Sequence, residues 1–342
     1  MTLPFVSVII PCFNEEKFIG PILESLISQD YPHDRMEVMA VDGNSRDRTR
    51  EIIRGYAASW PFIRLLLNER QYVPFALNMG IRASKGDFII IFGSHADYPH
   101  NYISSLIRMS LSLDADNIGG LCIARPPDPS DKSLAISEAL SCPFGVGNSY
   151  FRIGSDTIKK VDTVTFGCYK RSVFDRIGLF DETLLRCQDD EFNARLEKHG
   201  GSIYLDPGIS VDYFTRSTVK SVYRMFFQYG LFKPLVSMKI GKPTTLRQLV
   251  PFFFVMFLLF FIPLSAALPA FLWLVLPVAG LYLLINLVFT SRIMMKTKRP
   301  ALLWYLPWLF FLVHFSYGWG YLNGIIKFLI LHQKINIIGH SR

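Results

Sequence analysis

The sequence contains no GxGxxG after its first apolar run and no GxxxxGK[ST] anywhere, so neither glycine-rich turn that wraps backbone N–H groups around a phosphate is present. Dinucleotide hydride transfer and P-loop ATP hydrolysis lose ground with them. Cysteine is sparse. Cys12, Cys122, Cys142, Cys168 and Cys187 are scattered, odd in number and free of CxxC spacing, which argues against a zinc or dithiol site and suits a reducing cytosol. No run of five or more basic residues occurs, so the formal charge of +8 points to a membrane surface or a phosphate-bearing ligand rather than to nucleic acid. Met1-Thr2-Leu3-Pro4 offers no basic n-region and no cleavage site follows it, so a secretory signal is not expected there. A further absence sets the domain organisation: charge disappears between Leu249 and Phe289, whereas charged and apolar residues mix up to about Gly241.

What the first part holds is an alternation of strands and helices. Ser7 to Ile10 reads as a buried strand, after which Ile19, Ile22, Leu23, Leu26 and Ile27 recur at helical spacing. Glu37 to Val41 is a second strand, and Ile52, Ile53 and Tyr56 share one face of the helix that follows. Ile63 to Leu67 and Phe88 to Phe92 read as further strands, with helices over Pro74 to Ala83 and Tyr102 to Leu113. This pattern predicts an α/β domain, a mainly parallel sheet with helices on both faces. Open sheets of that class bind ligands beyond the carboxyl ends of their strands. Polar clusters fall there: Asn14-Glu15 after the first strand, Asp42 after the second, His95 and Asp97 after the fourth.

Four segments, VSVIIPCFNEE (6–16), VDGNSRDRT (41–49), NMGIRASKGD (78–87) and GLFDE (178–182) with QDDEFNARL (188–196), stand in an order that resembles family 2 glycosyltransferases over roughly residues 5 to 200. The resemblance implies the GT-A nucleotide-sugar-binding fold, followed here by C-terminal transmembrane helices. The Gln-Asp-Asp-Glu form, His95 and the apolar C-terminal segment are most similar to the succinoglycan-type exopolysaccharide glycosyltransferases. The activity so implied is inverting transfer of a hexosyl group from a UDP-sugar to a lipid-linked saccharide in exopolysaccharide or cell-surface polysaccharide biosynthesis. Nucleotide sugar, lipid-linked saccharide and membrane lipids are the expected partners, and nucleic acid is not among them.

By the same resemblance Asp189 is the catalytic base, with Asp190 its nearest rival, and Pro11, Asn14, Glu15, Asp42, Asn78, Arg216 and Gln228 contact substrate. The family's Asp-x-Asp metal motif corresponds here to Gly93-Ser94-His95, so the metal role passes to His95 and Asp97. Imidazole with carboxylate suits Mn²⁺ better than Mg²⁺, although both remain expected cofactors.

Each assignment has a structural alternative. Asp189 and Asp190 open a helix, where acids are favoured by the dipole. Asp42 could form an Asx turn. Asn14 and Glu15 could cap the first helix, Asn78 could bond neighbouring backbone, and His95 with Asp97 could be a metal-free loop pair. Arg216 and Gln228 compete with an amphipathic interfacial helix built on Val222, Phe226 and Tyr229.

Leu249 to Phe289 is long enough for two transmembrane helices, with Pro263, Ser265 and Pro269 marking the turn. Arg292, Lys296, Lys298 and Arg299 then form a basic loop expected on the cytosolic side. Ala301 to Phe328, broken by Pro307, His314 and Asn323, reads as a third span or an interfacial segment, and a third span leaves Lys327 and Lys334 outside. The expected organisation is a cytosolic domain (1–215), an interfacial linker (216–246), a membrane segment of two to three helices (247–330) and a tail (331–342). The expected location is an inner or plasma membrane, crossed more than once. The alternative function, suggested by Gly93, is a catalytically weak nucleotide-sugar-binding scaffold for a polysaccharide assembly complex.

Overall fold

A computed structural model describes residues 3–243 and 245–333 of the chain. It divides into two compact units, Met1–Ile123 with Gly154–Tyr213, and Ala124–Ile153 with Phe214–Arg342.

The first unit begins with β1 (Val6–Cys12), α1 (Ile19–Ile27), β2 (Met36–Asp42), α2 (Thr49–Ser59), β3 (Ile63–Leu67), α3 (Val73–Ala83) and β4 (Phe88–Ile91). β1, β2, β3 and β4 pair in parallel. β1 and β2 read as near-continuous apolar runs because helices cover both faces of the sheet, and almost every residue in them is buried. Two of their buried polar residues match each other: Ser7 Oγ donates to Glu37 Oε1 at 2.7 Å and accepts from Gly86 N at 2.8 Å. The expected strands and helices up to residue 113 are all present, ending with α4 (Tyr102–Leu113) after the short β5 (Ala96–Asp97).

Beyond α4 the sheet changes direction. β6 (Asn117–Arg125) leads into the second unit, where α5 (Asp131–Leu140) and the single-turn α6 (Pro143–Val146) and α7 (Tyr150–Ile153) lie. The chain returns for β7 (Lys159–Lys160), β8 (Cys168–Lys170), α8 (Arg171–Ile177), α9 (Gln188–Lys198) and β9 (Ile203–Phe214). β8 pairs antiparallel with both β4 and β6, giving a mixed sheet in the order β3-β2-β1-β4-β8-β6-β9-β5 with β7 beside β9. All five cysteines are free and buried.

Among its described residues the second unit continues with four long helices: α10 (Val219–Ile240), α11 (Val250–Ala267), α12 (Leu272–Thr297) and α13 (Leu302–Gly324). Two helical stretches, Leu246–Ala267 and Pro269–Thr297, are long and apolar enough to cross a membrane, and only 11% of each apolar window is buried. The third apolar segment behaves differently. Leu302, Leu306, Leu309, Phe310 and Val313 of α13 sit in a core with Ala135, Ile136 and Ala139 of α5, Val222 and Phe226 of α10, and Ile293 of α12. The apolar face of α10, expected to lie on a membrane, is therefore covered by protein at Val222 and Phe226.

Glycines let α10 and α13 approach this closely. A Cβ on Gly320 would lie 2.2 Å from Phe227 O, one on Gly324 2.3 Å from Leu231 O, and one on Gly230 2.0 Å from Tyr317 O. Buried polar groups between helices are paired: His314 joins Phe144 O at 2.7 Å and Tyr282 Oη at 2.9 Å, and Asn286 donates to Pro307 O at 3.0 Å.

Of the three residues expected to mark the turn, only Pro269 does so. Pro263 and Ser265 lie inside α11, and the break falls at Leu268, whose extended backbone (φ −131°, ψ 94°) precedes Pro269. Two residues beyond Pro263, Ser265 Oγ donates to Ile262 O at 2.8 Å. Of the basic loop, Lys296 pairs with Glu138 at 3.3 Å and Arg299 with Asp131 at 3.3 Å, so two of its cations dock on α5. Lys334 lies outside the described residues, as does most of the expected tail.

Replacing Gly320 by leucine is expected to lower stability by about 3 kcal/mol or more, since overpacking here meets backbone. Gly280→Leu, on α12 with nothing within 4 Å of the new Cβ, is the control and should leave the thermal midpoint in detergent unchanged.

Candidate active site

β1 and β2 are in a register that sets Cys12 beside Asp42, so the loops leaving them emerge side by side. A set of hydrogen bonds then clasps the two loops. Asn14 N donates to Ser45 Oγ and Arg46 N to Asn14 Oδ1, both at 2.8 Å; Glu15 N donates to Thr49 Oγ1 at 2.8 Å and Glu16 N to Asp47 Oδ2 at 3.1 Å. Asn14 and Asn44 take left-handed backbone (φ 54° and 63°), a conformation asparagine accepts more readily than most residues. Burial works to raise the pKa of Asp47, but the hydrogen bonds from Thr49 and Glu16 outweigh it and hold the carboxyl below its usual value. Neither Asn14 nor Glu15 caps α1 through its side chain.

Asp42 sits at the centre of this edge and is fully buried. Its Oδ2 accepts from Ser45 N at 3.0 Å and faces Arg50 Nε at 3.6 Å, while Oδ1 has no hydrogen-bond partner. Ser94 Oγ, in the loop after β4, is likewise buried without a partner. Buried polar atoms are nearly always bonded, so a carboxylate oxygen and a hydroxyl left without partners at the carboxyl ends of parallel strands lie where open sheets of this class bind ligands. Pro11, in β1 and opposite Val41 of β2, flanks this edge through backbone position.

After β4 the structure joins two residues the sequence had assigned separately. His95 Nε2 lies 3.5 Å from Glu15 Oε1, and the edge of its ring meets Phe18 at 4.5 Å between centroids. Asp97 is exposed in β5, opposite Asp212 of β9. Gly93 is glycine for a steric reason: a Cβ there would lie 2.4 Å from Phe166 Cε1. Phe166, itself in left-handed backbone (φ 49°), is held by Tyr102 Oη donating to its carbonyl at 2.9 Å, and Gly93 N donates to Tyr98 Oη at 2.7 Å. Among the described residues no three His, Cys, Asp or Glu side chains are grouped so as to hold a metal ion.

Asp189 and Asp190 occupy the first turn of α9, Asp189 exposed and Asp190 half-buried. The helix is fixed from beneath. Arg195 forks onto buried Glu191 at 2.8 and 3.0 Å and also donates to the carbonyls of Ile177 and Leu179, the latter at 2.8 Å. Asn193, one turn after Asp189, donates to Thr163 Oγ1 at 2.8 Å and accepts from Asn117 Nδ2 at 3.1 Å and Tyr169 Oη at 3.3 Å. Burial, then the charge of Asp189, pushes the Tyr169 hydroxyl well up, keeping it a neutral donor. Sequence reading missed this support; the signal was a buried Asn four residues after the acid, on the inward face of α9.

Asn78 does not join the cluster. It is buried and bonds the Phe180 backbone in both directions, donating to the carbonyl at 2.9 Å and accepting from N–H at 3.0 Å, and it donates to Glu182 Oε1 at 3.0 Å. Its role is to pin the segment before α9. Arg216 and Gln228 belong to the second unit, Arg216 exposed before α10 and Gln228 half-buried within it.

Parallel strands with acids at their carboxyl ends, an acid-led helix and an antiparallel extension define a GT-A-type fold, and the chain belongs to glycosyl transferase family 2, whose sequence profile it matches over residues 7–178. It is a glycosyltransferase. The chain is 32% identical to a dolichyl N-acetyl-α-D-glucosaminyl phosphate 3-β-D-2,3-diacetamido-2,3-dideoxy-β-D-glucuronosyltransferase of Methanococcus voltae, over 94% of this chain and 98% of that one. It is 27% identical to the succinoglycan biosynthesis protein ExoA of Rhizobium meliloti, covering 71% and 73% of the two chains. The mannosyltransferase PcManGT of Pyrobaculum calidifontis, solved with GDP-Man and Mn²⁺, shares the fold with a TM-score of 0.57 at 19% identity, over 93% of this chain and 88% of that one.

Asn78→Ala leaves two buried backbone groups of Phe180 unmatched and is expected to cost about 2–4 kcal/mol in folding. Measured by thermal unfolding and nucleotide titration, the variant should lose stability while the folded fraction binds nucleotide with unchanged affinity.

Proposed function

We propose that the protein transfers a sugar, with inversion, from a UDP-sugar to a lipid-linked saccharide at a membrane surface during exopolysaccharide or cell-surface polysaccharide assembly. The observation that carries the donor half is the unpartnered Oδ1 of buried Asp42, an acceptor suited to an N–H of the base or a ribose hydroxyl. Asn14 and Glu15 shape the same edge through the loop clasp, and Pro11 borders it. The acceptor half draws on the Methanococcus voltae relative, whose name gives a dolichyl-phosphate-linked sugar as substrate, and on the two apolar helices. With the basic residues 292–299 on the cytosolic side, a hairpin of two spans returns the chain to the side it started from. A third span is not part of this proposal, because α13 is buried in the core of the second unit.

The chemistry needs one proton acceptor and one stabilised leaving group. Asp189, exposed at the start of α9, takes the proton from the acceptor hydroxyl as its oxygen attacks the anomeric carbon from the face opposite the diphosphate. The C–O bond to the diphosphate breaks and the nucleoside diphosphate departs. Arg195, Glu191 and Asn193 hold α9 so that the carboxylate meets the hydroxyl without reorganising. A divalent cation fits the imidazole donor of His95, and bound there it would neutralise charge on the diphosphate. By the family resemblance alone, Arg216 and Gln228 remain proposed substrate contacts.

Nucleotide release from a panel of UDP- and GDP-sugars, on membranes carrying lipid-linked acceptors, tests this reading. Wild type should turn over one UDP-sugar, and Asp189→Asn should lower kcat by about 10²–10⁴-fold while leaving donor binding intact. Asp190→Asn should have the smaller effect. Donor binding without turnover of any sugar would favour the scaffold reading, whose support is that Phe166 fills the place of a side chain at position 93.

A further inference from the structure

Position 93 cannot regain a carboxylate without moving the Phe166 ring, so the acid that usually accompanies the histidine position must come from elsewhere if a cation is held here. Glu15 is the carboxylate that faces His95, at 3.5 Å from its Nε2. Both side chains are shielded without being sealed, 13% and 29% exposed respectively. Both are also placed before any ligand arrives. Glu15 is anchored through its backbone, its N–H on Thr49 Oγ1 at 2.8 Å and its carbonyl accepting from Phe18 and Ile19 N at 2.9 and 2.8 Å, while Phe18 packs against the imidazole. Fixing ligands through such outer contacts is what makes a metal site selective.

We infer that Glu15 and His95 together form the protein half of a divalent-cation site, Glu15 supplying the carboxylate that position 93 lacks, and that the ion binds only when a nucleotide diphosphate is seated. A nitrogen and a carboxylate oxygen suit Mn²⁺ over Mg²⁺. Two donors are too few for a resident ion of either kind, and ions bound through one or two side chains complete their shell with substrate phosphate and water. Asp97, exposed and across from Asp212, is left out of the set. Ion and nucleotide then raise each other's affinity by the same factor. The inference rests on the nucleotide-sugar reading of this edge.

The test is Mn²⁺ titration of the purified full-length protein, followed by electron paramagnetic resonance, with and without UDP or GDP, alongside calorimetric nucleotide binding in EDTA. Nucleotide should tighten Mn²⁺ binding by about 5–150-fold, and the bound ion should show nitrogen coupling that disappears in His95→Gln. Glu15→Gln, close in shape but uncharged, should weaken Mn²⁺ binding by about tenfold or more, with Glu15→Asp recovering part of it. Nucleotide-dependent Mn²⁺ affinity unchanged in Glu15→Gln would overturn the inference alone, as would nucleotide binding in EDTA with no Mn²⁺ uptake. No nucleotide binding under either condition would remove the donor-site reading and this inference with it.

Discussion

The parallel alignment of β1 with β2 is the constraint from which the site follows. Because Cys12 and Asp42 end their strands at the same level, the loops beyond them lie within hydrogen-bond reach. Asn14, Ser45, Asp47 and Thr49 can then lock one loop to the other. The lock has two effects. It buries Asp42 with one oxygen matched by Ser45 and the other without a hydrogen-bond partner, and it holds the Glu15 backbone so that its side chain meets His95 from the loop after β4. Local turn chemistry thus becomes electrostatic preorganisation, at the strand ends where open α/β sheets bind ligands.

The second unit is governed by a different constraint, the close approach of α10 to α13. Backbone contact at Gly230, Gly320 and Gly324 makes α13 a core helix, and this separates it from α11 and α12, whose apolar surface is mostly left uncovered. Uncovered apolar surface on this scale is costly in water and favourable in a bilayer. The ion pairs from Lys296 and Arg299 to α5 then tie the end of α12 to the same helical core.

Much of this was legible in the chain. The period-3.6 and buried-strand patterns gave eight of the nine strands and α-helices up to Leu113, all but the two-residue β5, because there local pattern agrees with tertiary role. The antiparallel strands β7, β8 and β9 were not legible: β7 and β8 are only two and three residues long, the pattern of β9 is interrupted by Pro207-Gly208, and all three exist through pairing with distant partners. In the site, the positions of Asp42, Glu15 and His95 at strand ends followed from sequence order, but their mutual geometry did not. Asn78 was open to a ligand contact or to a bond with neighbouring backbone, and the backbone it bonds is that of Phe180, 102 residues away in sequence. The α10 stripe of Val222 and Phe226 was read correctly as apolar, yet hydropathy alone does not say whether lipid or α13 covers it.

The central claim is that a nucleotide diphosphate sugar seats at the carboxyl ends of β1, β2 and β4. Hydrogen exchange of backbone amides in detergent-solubilised protein, with and without saturating UDP and Mn²⁺, tests it most directly. The account predicts slowed exchange in the loops at residues 13–16, 43–49 and 93–97, with no change in α11 or α12. Protection confined to other segments, or none at nucleotide concentrations that saturate binding, would contradict it.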